Sequence, residues 1–216
     1  MSLVLSTKIL NASQKRHLFA AGIDLVEYNA VQIKPLEPNL KKSYFENAIF
    51  TSQNAVKLAI NQNIKVKNAF CIGDKTSALL RKNNIQLMAK ATHAKELANE
   101  IVENHPEKSF DFFCSRQRRD ELPEILNKNN IKLNEHHLYE SVSNFKKFSN
   151  AFDAVLCFSP LGIKAYYEIH THRPPAICIG LTTVNAAKQY TEKVYQASKT
   201  SIESVVIKAI KTFSPE

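Results

Sequence analysis

The stretch CIGDKTSALL, residues 71–80, returns as CIGLTTVNAA at residues 178–187. The two glycines, Gly73 and Gly180, are 107 positions apart, and so are the threonines Thr76 and Thr183. Since half of the 216-residue chain is 108 residues, this spacing indicates two copies of one structural unit.

The same offset relates other parts of the two halves. Ser52 falls on Ser159 within two segments, 47–60 and 153–166, that each contain an apolar run, a short serine loop and an amphipathic start. An offset of 108 aligns residues 19–27 with 127–135, where Ile, Leu and Glu coincide. Because nearly one register persists through apolar runs, loops and amphipathic segments, we interpret the chain as a duplication.

Each half alternates short apolar runs with segments of helical spacing. The runs are rich in Ile, Val and Phe and end in Ser, Thr or Gly, which is typical of strands buried on both faces. They are SLVLSTK, AIFTS, AFCIG, FDFFCS, AVLCFS and AICIG. Helices are predicted at 14–21, 54–61, 76–82, 94–102, 120–128, 162–169 and 202–212. This alternation predicts an α/β fold with parallel sheets and right-handed crossovers.

Composition narrows the class of protein. Apolar residues make up 44% of the chain, with only 4 Gly and 8 Pro, so a globular protein without long flexible linkers is expected. No apolar run reaches the length of a membrane span, and the N-terminus lacks the pattern of a signal peptide. The formal net charge of +9 favours an anionic partner. Nucleic acid is weakly supported, because no arginine stripe with interleaved aromatics is present.

The cysteines and histidines do not predict a metal site. Each of the four cysteines (Cys71, Cys114, Cys157 and Cys178) lies in or beside an apolar run, and none forms a CxxC pair. Buried thiols in a reduced, cytosolic protein are therefore expected. The paired histidines at 136–137 and 170–172 are interpreted as solvated surface residues.

Polar residues follow each predicted strand. In open α/β sheets, ligands bind beyond the carboxyl ends of the strands, and free amides at helix starts receive anions. The loops at these ends are 7–8, 51–54, 73–76, 115–118, 159–162 and 180–183. For any single Ser or Thr, a simple helix N-cap is the better interpretation. No P-loop or dinucleotide fingerprint is present, which disfavours a nucleotide enzyme.

In this order and spacing, the phrases FTSQNAV, CIGDKTSALL, LYESV, FSPLGIKAYYE and CIGLTTVNAA resemble the uroporphyrinogen-III synthase family. The resemblance covers nearly the whole chain. It implies two similar α/β domains, each a parallel sheet flanked by helices, joined by a two-stranded linker with the active-site cleft between them. The implied domains are 1–33 with 144–216, and 34–143, with linker strands near 30–36 and 138–143. The repeat alone would place a simple cut near residue 108.

The resemblance also implies a reaction. Members of the family cyclise hydroxymethylbilane, a linear tetrapyrrole with acetate and propionate groups, losing water and inverting the last ring. No metal and no organic cofactor is implied. The expected protein is a cytoplasmic monomer without nucleic-acid or membrane partners, in at most transient contact with the preceding enzyme of the pathway.

The candidate site residues come from the match to the family's motifs, from the loops at the strand ends and from cations that could meet carboxylates. Tyr139 in LYESV matches the family's linker tyrosine and is the predicted catalytic residue, although an aromatic packed beside a strand is nearly as good an interpretation. The predicted substrate-binding residues are Lys8, Thr51, Ser52, Gln53, Asn54, Gly73, Thr76, Arg116, Arg118, Ser159, Gly162, Thr182 and Thr183. Arg116 and Arg118 have an alternative as a solvated face with locally paired charges.

The sequence departs from the family's pattern at several loops. Leu161 stands where members often have Ser, and Leu181 where they often have Pro. Ser115 and Ile9 stand where Gly and Pro are frequent. At the loop that contains Leu161, recognition of the substrate by a side chain is in doubt, and the backbone amides remain as possible donors. Two other functions stay open on the sequence: a two-lobed binding module for a small polyanion, and a nucleic-acid binder.

Overall fold

The computed structural model describes residues 2–213, which form two compact units. The terminal unit combines the residues up to Gln32 with those from Val142 onward. The central unit spans Ile33–Ser141. No helix in the described range is long and apolar enough to cross a membrane.

The elements follow one another as the alternation predicts. The strands are β1 (Ser2–Ser6), β2 (Ile23–Glu27), β3 (Val31–Pro35), β4 (Tyr44–Phe50), β5 (Lys65–Ile72), β6 (Gln86–Ala91), β7 (Phe110–Ser115), β8 (Leu133–Ser143), β9 (Ala154–Cys157), β10 (Ala176–Cys178) and β11 (Val194–Gln196). The helices are α1 (Ala12–Ala20), α2 (Gln53–Asn61), α3 (Asp74–Lys82), α4 (Ala94–Asn104), α5 (Glu121–Lys128), α6 (Pro160–Tyr167), α7 (Leu181–Ala187) and α8 (Ile202–Phe213).

Each unit has one sheet. The terminal sheet has the strand order β11-β10-β9-β1-β2, and all its neighbours run parallel. The central sheet has the order β3-β8-β7-β4-β5-β6, and the strands from β8 to β6 are parallel. The chain passes from one unit to the other along β3 and β8, which are neighbours in the central sheet.

The duplication is visible in the topology. Reading β6-β5-β4-β7-β8 beside β11-β10-β9-β1-β2 gives the same architecture with corresponding strands in corresponding places. Adding 107 to the bounds of α2 gives 160–168, and α6 spans Pro160–Tyr167. Adding 108 to the bounds of α1 gives 120–128, and α5 spans Glu121–Lys128. Both sequence offsets therefore correspond to structurally equivalent elements.

An asparagine follows the C-cap of three helices, α2, α3 and α5. Asn63, Asn84 and Asn130 adopt positive φ angles of 55°, 56° and 58°, and an isoleucine follows each of them. The isoleucine N–H bonds back to a carbonyl five residues earlier, as in Ile64 N–H to Ala59 O at 2.9 Å. This is the Schellman pattern, in which asparagine replaces the usual glycine. It fits a chain that has only 4 glycines.

Alternate residues of each strand pack on opposite faces of its sheet. In the terminal unit, Leu5 belongs to one apolar cluster and Val4 to the other. In the central unit, Phe113 lies on one face and Phe112 on the other. Each fully buried side chain of this kind contributes about 1.5–3 kcal/mol. Because both faces of each sheet are covered, a ligand-binding site is expected at the ends of the strands.

Several elements differ from the sequence-based expectation. The helix α7 was not predicted, although adding 107 to the bounds of α3 gives 181–189 and so indicates it. The predicted helices at 14–21 and 162–169 begin two residues earlier, at Ala12 and Pro160. A cut at residue 108 is wrong, because β7 pairs with β4 and β8 pairs with β7, all within the central sheet. The strand β8 begins at Leu133, well before the expected linker segment.

Candidate active site

A polar pocket lies at the carboxyl ends of the central strands. Its volume is about 680 Å³. Residues after β4, β6 and β7 and along β8 line it, together with the start of α5. The lining includes Thr51, Ser52, Thr92, His93, Ser115, Gln117, Arg118, Arg119, Glu121, Tyr139 and Ser141. Four predicted site residues, Thr51, Ser52, Arg118 and Tyr139, therefore meet in one pocket.

The pocket contains one close pair of hydroxyls. The Ser52 Oγ and the Tyr139 Oη lie 2.9 Å apart. Ser52 is the N-cap of α2, and its Oγ accepts the N–H of Ala55 at 3.1 Å. Ser52 therefore is a helix N-cap that also contacts the predicted catalytic phenol, and its role in substrate binding stays a prediction. Tyr139 is itself buried, with 6% of its surface exposed.

A β-bulge aims Tyr139 at Ser52. The pairing of β7 with β8 runs from Cys114 opposite His137 to Ser115 opposite Tyr139, so Leu138 is an extra residue. Regular alternation would place Tyr139 on the face of His137, opposite to Leu138. With the bulge, Leu138 and Tyr139 both pack in the cluster that contains Phe113. Bulges near active sites often redirect a side chain in this way.

The arginines of the pocket differ in their partners. Arg118 binds both carboxylate oxygens of Glu135 and also Asp120. These hydrogen bonds, with Glu135 the largest cause, raise the pKa of the Arg118 guanidinium above its usual value. Arg119 is exposed and lines the pocket, and it has no ion pair within residues 2–213. Sequence analysis missed Arg119, the neighbour of a predicted residue in SRQRRDE.

Arg116 lies outside the pocket lining. Its guanidinium is exposed and pairs with Glu140 at 3.1 Å. Lys34 approaches the same carboxylate at 3.5 Å. Arg116 is thus solvent-exposed, as the alternative predicts, but its partner Glu140 lies on β8 and not within the segment 115–124.

The Gly73 loop begins α3. Gly73 has a φ of 85°, a conformation that favours glycine. Thr76 lies in the first helical turn and is buried, with 5% exposed. The Asp74 carboxylate accepts a hydrogen bond from Lys90 at 2.7 Å, and this bond is the main cause that lowers the pKa of Asp74. The helix start thus carries its own exposed carboxylate.

The terminal unit has an equivalent serine loop. Ser159 caps α6 by accepting the Gly162 N–H at 3.1 Å. A Cβ at Gly162 would lie 3.1 Å from the Thr7 Oγ1, so glycine allows the close approach of α6 to the end of β1. Thr7 donates its hydroxyl to the Leu156 carbonyl at 2.8 Å. No tyrosine is hydrogen-bonded to Ser159 in the part of the chain described.

The other predicted residues lie at helix starts or on the surface. Thr182 and Thr183 are in the first turn of α7, where Thr182 is exposed and Thr183 is buried. Leu181, at the first helical position, is 63% exposed. Lys8 is exposed, and Gln53 and Asn54 begin α2.

Three residues on β7 and β8 could hold a metal. The ligand atoms of Cys114, Glu135 and His137 all lie within 4.8 Å of one another. Burial, with the charge of Glu135, raises the pKa of the Cys114 thiol to about 12. The spacing in sequence does not reveal this cluster, because strand pairing brings it together. All four cysteines are free and buried, which confirms that part of the expectation.

The histidines are less solvated than expected. The His136 Nε2 lies 2.8 Å from the buried Asp111 carboxylate, and its ring stacks on Phe113. His170 accepts the Phe148 N–H at 3.0 Å and stacks on Tyr166. The surface interpretation is therefore wrong for His136 and His170. It suits His137 and His172, which are exposed.

A scan against protein families matches residues 13–207 to the family described as uroporphyrinogen-III synthase HemD. The chain belongs to the uroporphyrinogen-III synthase family. This is a family of cyclising lyases of tetrapyrrole biosynthesis. The resemblance inferred from the ordered motifs is thereby confirmed.

Solved structures of uroporphyrinogen-III synthases share the fold. The enzyme from Helicobacter pylori 26695 has a TM-score of 0.67 and 19% identity, with 99% of this chain and 100% of that chain covered. A mutant enzyme from the extremely thermophilic bacterium Thermus thermophilus has a TM-score of 0.54 and 10% identity, with 98% of each chain covered. No curated protein sequence matches significantly. The predicted α/β fold with helix-flanked parallel sheets is confirmed.

Proposed function

We propose that this chain is itself a uroporphyrinogen-III synthase. It cyclises hydroxymethylbilane to uroporphyrinogen III, with loss of water and inversion of ring D. The observation that carries the proposal is the pairing of Tyr139 with Ser52 at 2.9 Å in a polar pocket of a chain that belongs to this family.

Tyr139 is the proposed acid. The hydroxyl of the bilane leaves as water when its C–O bond breaks, the electron pair departs with oxygen, and the Tyr139 phenol supplies the proton. The pyrrole nitrogen donates electron density to the carbon left behind, giving an azafulvene-like electrophile. Such general acid catalysis contributes typically ~10²–10⁴-fold.

The substituted carbon of the last ring then attacks the electrophile and forms a spiro intermediate. The bond from that carbon to its original bridge carbon breaks, the freed bridge carbon bonds to the unsubstituted α-carbon of the same ring, and the α-proton released on closure restores the phenol. The main task of the protein is geometric, since the uninverted closure competes without any enzyme. The bulge that fixes Tyr139 contributes directly to this positioning.

Ser52 supports the phenol in this proposal. One lone pair of its Oγ accepts the Ala55 N–H, which leaves its own proton available for the Tyr139 oxygen. When Tyr139 gives up its proton, the phenolate has the Ser52 hydroxyl beside it. It also lies near the positive end of the nine-residue helix α2, which favours negative charge. Ser52 is therefore a positioning residue for Tyr139.

Carboxylates of the substrate require donors. We assign Arg119 to this role in the central unit, because its guanidinium is unpaired within the described residues and lines the pocket. Thr51 lines the same pocket. In the terminal unit, the proposal retains Ser159, Gly162, Thr182 and Thr183 with Lys8, since a cation and amide-rich helix starts suit a polyanion. Gly73, Thr76, Gln53, Asn54, Arg116 and Arg118 remain predicted contacts.

The finer organisation is also proposed. Residues 1–33 with 144–216 form one domain and 34–143 the other, in keeping with the two compact units. The protein is a cytoplasmic monomer, in at most transient contact with the enzyme that supplies the bilane, and it takes no nucleic acid. Four buried free thiols support a reducing compartment.

The test uses freshly generated hydroxymethylbilane. The products are oxidised to porphyrins and the isomers are separated by chromatography. The bilane closes spontaneously to the type I isomer, so each run contains its own control. A dominant type III product is expected. Only type I product from folded protein would contradict the proposal, and tight bilane binding in that case would favour a binding module.

A further inference from the structure

The cluster of Cys114, Glu135 and His137 lies on one face of two paired strands. Cys114 on β7 is directly opposite His137 on β8, and Glu135 precedes His137 by two residues, so it shares that face. The His137 Nε2 lies 3.7 Å from the Glu135 Oε2. The opposite face carries Phe113 and Tyr139.

Two of the three potential ligands are largely uncommitted, whereas both carboxylate oxygens of Glu135 accept hydrogen bonds from Arg118. The Cys114 thiol makes only a weak contact, 3.9 Å from the His136 carbonyl. Among residues 2–213, His137 has no polar partner closer than Glu135. Cys114 is buried, whereas 42% of the His137 side chain is exposed, so solvent reaches the cluster from the histidine side.

We propose that Cys114, Glu135 and His137 form a binding site for one divalent cation of the zinc class. The ligand set combines a thiolate, an imidazole and a carboxylate, which zinc accepts together with a water at an open fourth position. Zinc bond lengths of about 2.0–2.3 Å place tetrahedral ligand atoms roughly 3.3–3.8 Å apart. Because the three ligand atoms already lie within 4.8 Å of one another, shifts of about 1 Å suffice.

Arg118 acts as the outer partner of this site. Its Nη2 donates to the Glu135 Oε1 at 2.7 Å, and it also binds Asp120. A carboxylate offers about four lone-pair positions, so the arginine fork leaves room for a metal on the side of His137. Carboxylate ligands are commonly oriented by such hydrogen bonds.

The charges balance once the metal is bound. The metal–sulfur bond forms as the Cys114 thiol proton leaves to solvent and a water leaves the metal. The thiolate, Glu135 and Asp120 then contribute three negative charges, and Arg118 with the divalent cation contributes three positive charges. A neutral cluster at a half-buried position avoids the desolvation penalty of an uncompensated charge.

The test titrates the chelator-treated, full-length protein with Co²⁺ and then with Zn²⁺. We expect one Co²⁺ per chain, a thiolate-to-cobalt absorption band in the near ultraviolet, and displacement by Zn²⁺ in the micromolar range or tighter. Cys114→Ser should abolish the band. It should also weaken Zn²⁺ binding by at least ~10- to 100-fold, because the loss of an outer hydrogen-bond partner alone has an effect of that size.

Two further variants make the test decisive. His137→Gln changes an exposed side chain, so it isolates ligand loss from any folding cost of serine at the buried Cys114. It should also lose the Zn²⁺ affinity. Cys71→Ser removes another buried strand thiol of the central unit that belongs to no such cluster, and it should leave both signals unchanged.

Three results would overturn the site: no near-ultraviolet band on the wild type, a band that survives Cys114→Ser, or Zn²⁺ affinity indifferent to His137→Gln. Weak binding to surface histidines alone would give the first and third of these. The measurement needs no enzyme assay, so its failure is separate from failure of the proposed synthase activity.

Discussion

The two units share one scaffold but differ at equivalent loops. In the central unit, Ser52 caps α2 and lies 2.9 Å from the Tyr139 hydroxyl. In the terminal unit, Ser159 caps α6 in the same way, but no tyrosine hydroxyl is hydrogen-bonded to it among residues 2–213. The repeat therefore accounts for the shared caps and strands. The proposed chemistry depends on the bulged strand β8 of the central unit, which carries Tyr139.

The largest expected effect is at the tyrosine itself. Tyr139→Phe removes the proposed acid and should lower kcat by about 100-fold or more, while the melting temperature changes little. Measurement of type III product formation checks this expectation. Tyr28→Phe in the terminal unit is the matched control, because the Tyr28 hydroxyl is buried and has no hydrogen-bond partner within the described residues. It should keep the activity and raise the unfolding free energy by up to about 1 kcal/mol.

A comparison of the two serine caps gives the next largest effect. Ser52→Ala and Ser159→Ala should each cost about 1 kcal/mol of stability, measured by urea unfolding, because each removes one N-cap. Only Ser52→Ala should lower kcat, by about 10-fold, since a hydrogen bond to a developing phenolate is lost. Any effect of Ser159→Ala should fall on KM. Equal kcat values for the two variants would remove Ser52 from the mechanism.

Variants of the two pocket arginines, Arg118 and Arg119, should have different effects in the same assay. Arg119→Gln is expected to raise KM up to about fivefold with kcat retained, which is the magnitude of a solvent-exposed ion pair. Arg118→Gln should instead lower stability, because Glu135 loses its partner. Arg81→Gln, an exposed cation on α3, serves as the control. If Arg119→Gln and Arg81→Gln had the same KM, Arg119 would not bind the substrate, and other donors would have to bind its carboxylates.

The smallest effect concerns the two glycines of the opening phrase. Gly73 has a φ of 85°, whereas Gly180 is extended at −170°, and both are N-caps. Gly73→Ala should therefore cost about 1 kcal/mol of backbone strain, although nothing lies within 4 Å of the added Cβ. Gly180→Ala should stay within about 0.5 kcal/mol, since the nearest atom is 3.7 Å away. Chemical denaturation of both variants measures the difference.

Much of the fold could be predicted from the repeat. Apolar runs indicated β1, β4, β5, β7, β9 and β10, but they missed the inner strand β8 of the central sheet. The 107-residue offset contained the information for α7, which periodicity alone missed. The boundary between the units could not be derived in this way. Because the copies present similar strands, the sequence does not say whether β1 pairs with β9 or with β4. That choice depends on packing, and only the family resemblance anticipated it.

The proximity of Ser52 and Tyr139 could be predicted because motifs carry both residues, while their roles stay predictions. The site was not predictable where neighbours decide the role. The difference between Arg118 and Arg119 depends on where Glu135 and Asp120 lie. The cluster of Cys114, Glu135 and His137 depends on strand register, which short-range spacing does not encode. The face of the sheet on which Tyr139 lies depends on the bulge at Leu138.

That extra residue lets β8 lose one position without turning the phenol. Loss of Leu138 would place Tyr139 directly after His137, which restores regular alternation and keeps the phenol on the face of Phe113. A slip that keeps Leu138 and pairs it with Ser115 would instead turn the phenol towards the face of Cys114. We therefore expect lineages of this chain to carry either one residue or none between His137 and Tyr139, and an alignment of close relatives shows whether they do.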